Sequence, residues 1–164
     1  MGMTCTLRRI SVENLERYLH NSYTMEIDFY SNELIEIPQL DIDKSWDGII
    51  FLLTGNSSRN LGTNILGKVL LGSGTIDENQ IIGYGPARYL LPEEVKTLNN
   101  KIKILNPDDL KFRYDPAKMI LEDVYPAIWQ EENAFDYIKE YFIELQSFYQ
   151  HASWANEAIV IIIS

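Results

Sequence analysis

The run Ile159-Val160-Ile161-Ile162-Ile163, just before Ser164, constrains the fold more than any other stretch. Branching at Cβ suits extended, pleated backbone, and the absence of any polar position leaves neither face for water, so the run predicts a strand buried on both sides in the middle of a sheet. Counted from Ala158 it holds only six apolar residues, far short of the ~20 that a bilayer core requires. Helical layers on both faces are the usual cover for such a strand, and 164 residues are enough to build one such core but not two.

The remaining segments supply those layers. Residues 1–10 read as an opening strand, and residues 12–20 as a helix capped by the Ser11 hydroxyl, which can accept an orphan amide proton. Residues 21–39 lack a clear period and include Pro38, which predicts a long connection with no more than a short helical turn. Asp43 is the expected cap of an amphipathic buried helix that places Trp46, Ile49, Ile50 and Leu53 on one face and stops at Gly55. Polar loops at 56–64 and 72–80 flank a short helix at 65–71. Residues 81–91 read as extended and interrupted by Gly83, Gly85 and Pro86, either a kinked strand or a strand-turn-strand. Pro92, Pro107 and Pro116 each mark a helix start, predicting helices over 92–105, 107–113 and 116–123. The spacing of Phe135, Ile138, Phe142, Leu145 and Tyr149 predicts a long amphipathic helix over 131–151. The expectation is an α/β fold: a single layered domain over residues 1–164, a mixed sheet with a buried C-terminal strand, and flanking helices.

Charge narrows the partners. The formal net charge is −10, which repels phosphate backbones and anionic lipid and argues against nucleic acid or membrane surfaces. Residues 26–47 contain seven carboxylates against Lys44, and residues 122–144 seven against Lys139. These read first as solvated faces and second as a surface for a basic protein partner. Cys5 is the sole cysteine and His20 and His151 the only histidines, so no internal disulfide, metal site or cofactor is expected. Residues 1–10 carry Arg8 and Arg9 after their apolar residues rather than before, unlike a secretory leader, and the chain reads as cytoplasmic.

Several motifs invite chemistry and fail on context. Gly62-Thr-Asn-Ile-Leu-Gly67-Lys68 has phosphate-loop spacing, but Val69 stands where a hydroxyl should hold magnesium, and a polar stretch precedes it instead of a buried strand. Asp41 and Asp43, with Asp108 and Asp109, resemble the carboxylates of aspartate-nucleophile phosphotransferases, yet Pro38 argues against the central strand such an enzyme needs. A calcium loop starting at Asp41 would place Trp46 at the obligatory glycine. No Gly-x-Ser-x-Gly elbow is present, and Gly83-Tyr84-Gly85 lacks the third glycine of a dinucleotide fingerprint. What remains is a set of large side chains with polar tips near element ends: Trp46, Asp47, Tyr84, Arg88, Tyr125 and Trp129. They are the candidate ligand-binding residues, against the plainer reading that they pack.

Gly2-Met3 after the initiating Met1, the block from Leu40 through Trp46-Asp-Gly-Ile-Ile-Phe-Leu-Leu-Thr to Gly55, Gly83-Tyr-Gly-Pro-Ala-Arg88-Tyr-Leu, and Val124-Tyr-Pro-Ala-Ile-Trp129 together resemble the YfbM-like family of bacterial proteins, domain of unknown function 1877. The resemblance implies one α/β domain and supplies no catalytic residue. It also implies histidine in many relatives at the place of Ile50, and in some at Asp47; this chain has neither, so imidazole chemistry there is not expected. Two functions stay open. The first is a non-catalytic binding or protein-interaction domain, regulatory or antidote-like in character. The alternative is a small-molecule-binding enzyme acting on an anionic substrate, with Arg88 pairing the anion and Tyr84 or Asp47 assisting.

Overall fold

A computed structural model describes residues 2–31 and 36–164. Strand β1 (Cys5–Ile10) is followed by helix α1 (Val12–His20), whose cap is Ser11: its Oγ accepts from the Asn14 amide at 3.1 Å. The chain then forms a further helix, α2 (Ser22–Tyr30), where a long connection was expected. Only Met25 of α2 is buried, while Tyr23, Ile27 and Tyr30 are exposed, so the apolar stripe that would have revealed it is missing. Residues 32–35 of that expected connection, and Met1 of the opening strand, lie outside the described residues.

A short strand β2 (Gln39–Asp41) leads into helix α3 (Trp46–Thr54). Asp43 does not cap it. Its backbone is left-handed at φ 48°, its carboxylate accepts from the Tyr137 hydroxyl at 2.8 Å, and Ser45 takes the capping position. Nor is α3 amphipathic, since every residue from Trp46 to Leu53 is buried. Gly55, at φ 80°, ends it in the left-handed conformation that a side chain would strain.

A 3-10 turn (Ile65–Gly67) and helix α4 (Lys68–Leu71) occupy the apolar island at 65–71, and strands β3 (Gly74–Thr75) and β4 (Arg88–Leu90) follow. The proline-started segments form helix α5 (Pro92–Ile102), a 3-10 turn (Asp108–Arg113) and helix α6 (Pro116–Leu121). The last two elements are helix α7 (Ala134–Trp154) and strand β5 (Ala158–Ile163).

The strands form one sheet in the order β2-β1-β5-β4-β3, so the C-terminal run is central as its composition requires. Every pairing is antiparallel, which corrects the expectation of a mixed sheet. β1 and β2, joined through α1 and α2, pair with Thr6 opposite Asp41 and Arg8 opposite Gln39.

Side-chain alternation along β5 divides its residues between two cores. Ile159 and Ile161 join Cys5 and Leu7 in the larger core with α3, α5 and α7. Ala158, Val160 and Ile162 join Leu15, Tyr18 and Met25 in the smaller one. Both faces of the strand are covered.

Candidate ligand pocket

At the C-terminal end of β5, three chain segments are stitched together by backbone hydrogen bonds. The Thr4 amide donates to the Ser164 carbonyl at 2.7 Å, the Ser164 amide returns to Thr4 at 2.9 Å, and the Tyr84 amide donates to the Ile163 carbonyl at 2.8 Å. Gly83 permits this approach: its φ is 90°, and an added Cβ would stand 2.5 Å from the Ile163 carbonyl oxygen.

The N-terminal segment is held from its other side by two aromatics. Trp46 Nε1 donates to the Met3 carbonyl at 3.1 Å, the Met3 amide donates to the Tyr125 hydroxyl at 2.9 Å, and the two rings stack with centroids 6.0 Å apart.

Inside this frame lies a pocket of about 250 Å³. Met3 and Trp46 form one part of its lining, Ile161 and Ile163 of β5 another, Leu70 and Leu71 of α4 a third, and the 84–86 turn with Arg88 the remainder. The lining is thus apolar apart from Arg88 and the largely exposed Tyr84. Half-buried Arg88 is fixed by two acceptors: its Nε donates to the Leu71 carbonyl at 3.0 Å, and its Nη1 donates to Thr75 Oγ1. Leu71 is the last residue of α4, where a helix leaves its carbonyls without internal partners, which explains why it is free to receive the guanidinium. Neither acceptor carries a formal charge, and among the described residues no carboxylate pairs with Arg88.

Of the six sequence-derived candidates, Trp46, Tyr84 and Arg88 come together at this pocket, and Tyr125 stands behind Trp46. Asp47 and Trp129 do not line it. Asp47 is 2% exposed, with Oδ1 accepting the Ser58 amide at 2.8 Å and Oδ2 the Tyr125 amide at 2.9 Å. Both oxygens therefore tie loops to α3, and no face is open to a ligand. Trp129 donates to the Val124 carbonyl at 2.7 Å and packs on Gly48, where an added Cβ would meet the indole at 2.6 Å. Ile50 is wholly enclosed in the larger core. Sequence reasoning missed Met3, Leu70, Leu71, Thr75, Ile161 and Ile163; as ordinary apolar or small residues they carry no signal apart from their neighbours in space.

The phosphate-loop spacing at Gly62–Lys68 has a packing explanation. Gly67 is buried against Leu61, whose Cδ1 would lie 2.6 Å from an added Cβ, and Asn64 caps the 3-10 turn through the Leu66 amide. Asp41 sits on the edge strand, its carboxylate accepting from the Asp43 amide at 2.8 Å, while Asp108 pairs with Lys139 at 3.1 Å. The acidic stretches are partly turned inward: Asp28 takes the Tyr18 hydroxyl, Asp43 the Tyr137 hydroxyl and Glu122 the Ser57 amide.

Burial pushes the Cys5 thiol and the Tyr149 phenol up. The Tyr137 phenol is raised by burial first and then by the Asp43 carboxylate it bonds. The thiol is therefore a packed, unreactive group. Among the described residues no three His, Cys, Asp or Glu side chains are placed to hold a metal ion, and no helix is long and apolar enough to cross a membrane.

Comparison with known proteins gives a consistent result. A family model described as a domain of unknown function, DUF1877, matches residues 1–162. Protein YfbM of Escherichia coli strain K12 is 24% identical over 129 residues, covering 78% of this chain and 75% of the relative. The crystal structure of a protein of unknown function, YfbM from Escherichia coli, superposes with a TM-score of 0.78 at 20% identity, covering 98% of this chain and 99% of that one.

Proposed function

The chain belongs to the DUF1877 family, whose function is unknown, and within that frame we propose that it is a non-catalytic binding protein for a small, mainly apolar molecule. One observation carries the reading: the α3 residue Trp46 and the Tyr84 to Arg88 segment converge on a pocket at the end of the central strand. Its volume of about 250 Å³ falls just below the ~300 to 1,000 Å³ typical of ligand sites. An apolar lining with one charged anchor suits a compact ligand, because apolar area supplies affinity while the anchor fixes orientation.

The lining offers no carboxylate, imidazole or thiol, so it favours binding over the alternative of an enzyme acting on an anionic substrate. A basic protein partner draws less support, since Asp28, Asp43, Asp47 and Glu122 spend their charge on internal hydrogen bonds.

The test is fragment screening by protein NMR, with Gly85→Leu as the blocking variant. Gly85 lines the pocket and a Cβ added there meets no atom within 4 Å, so it is the lining position at which a larger side chain clashes least. Hits are expected to move the Trp46 indole N–H resonance and the Tyr84 amide, and to be lost in Gly85→Leu. Hits that map elsewhere, or persist in that variant, would remove the proposal.

A further inference from the structure

Resting on the reading of this pocket as a binding site, we infer that its ligand is a monocarboxylic acid with a compact apolar body, held by Arg88. The inference begins with an imbalance. The chain has 24 acidic residues against 14 lysines and arginines, yet none of the described carboxylates reaches the one arginine that lines the pocket. Arg9 pairs with Glu157, Arg17 with Asp28 and Arg59 with Asp123, whereas Arg8 and Arg113, like Arg88, are held by neutral acceptors; Arg88 differs from those two in lining the pocket. Arg88 is half-buried on an apolar pocket, where missing solvation makes an uncompensated charge more consequential, and among the described residues its hydrogen-bond partners are Leu71 and Thr75. Those two neutral acceptors orient the guanidinium without neutralising it.

The charge deficit is one unit, and the geometry suits a fork. A guanidinium whose Nε and Nη1 are occupied on the protein side retains donors at its terminal nitrogens, and planar donors match the two oxygens of a carboxylate. A phosphomonoester carries about −1.5 to −2 charge near neutral pH and would place its excess among Leu71, Ile161 and Ile163. Size sets the other limit. At ~30 Å³ per water-sized volume, the pocket holds roughly eight to ten non-hydrogen atoms, the size of benzoate or hexanoate.

Titration of the full chain with benzoate, benzamide and phenyl phosphate, read at the Trp46 indole resonance, tests the inference. Benzoate is expected to bind at least tenfold more tightly than benzamide, its uncharged isostere, and more tightly than phenyl phosphate. Arg88→Met should erase the benzoate preference, while Arg88→Lys, which keeps the charge but loses the fork, should retain part of it. Equal binding of benzoate and benzamide, both lost in Gly85→Leu, would overturn the carboxylate assignment and leave the pocket reading intact. Tighter binding of phenyl phosphate, or a benzoate preference that survives Arg88→Met, would also overturn the assignment. Failure of benzoate and benzamide alike to bind would remove both.

Discussion

Asp47 and Arg88 are the two charged residues among the sequence-derived candidates, and the fold treats them oppositely. Asp47 is buried and has each oxygen taken by a backbone amide from a different loop, Ser58 and Tyr125. Arg88 is half-buried beside an apolar pocket and meets only a carbonyl and a hydroxyl. A buried charge whose capacity is consumed by backbone donors is architecture, because removing it strands those donors. A charge steadied by neutral acceptors keeps its Coulombic reach, and the space beside it is where a complementary group gains most. The difference separates two residues that look equally functional in the sequence.

The contrast can be broken most forcefully at Asp47. Asp47→Ala leaves two amides without their acceptor and should destabilise the protein by about 3–5 kcal/mol, read from urea unfolding. A loss below ~1 kcal/mol would mean that the loops at Ser58 and Tyr125 do not depend on it.

A second test concerns the neighbouring interior, where polar groups are likewise matched to internal partners. The buried Tyr149 hydroxyl donates to the Val69 carbonyl at 2.7 Å, and half-buried Tyr114 donates to the Trp129 carbonyl at 2.6 Å. Burial raises both phenols. The folded state thus holds these protons more tightly than the unfolded chain, so their contribution is complete below the unfolded value of 10.0 and declines as pH rises beyond it. The melting temperature should fall steadily above about pH 10, with tyrosinate absorbance from these residues appearing together with unfolding. Ionisation of Tyr149 with native near-ultraviolet dichroism retained would contradict a closed interior.

The smallest effect should come from Arg88. Arg88→Met is expected to change stability by less than ~1 kcal/mol, since it strands only a carbonyl and a hydroxyl at a half-buried site. A large loss in thermal unfolding would place Arg88 with Asp47 as architecture and weaken the distinction.

How much of this was legible in the chain varies by residue. The C-terminal strand could be read because five consecutive β-branched residues leave few alternatives, and α7 because its apolar period persists over many turns. Helix α2 could not, since it buries little and shows no stripe. The cap of α3 was misplaced because Asp43 and Ser45 are both acceptable capping types; Ser45 holds the cap position with no side-chain capping bond, and the Asp43 carboxylate is taken by Tyr137, 94 positions away. For the pocket, Trp46, Tyr84 and Arg88 stood out by chemistry, whereas Met3, Leu71 and Ile163 belong to it solely by position.

The sequence by itself determined the family, the α/β layering and the central place of Ile159 to Ile163, because these depend on local propensity and on apolar patterns that the chain carries residue by residue. The tertiary structure alone decided that all strands run antiparallel, that Asp47 is consumed by two amides, and that Arg88 faces a pocket without a carboxylate. Those outcomes depend on pairs of residues far apart in the chain, such as Tyr84 with Ile163 and Asp47 with Tyr125, whose meeting is set by how the layers pack.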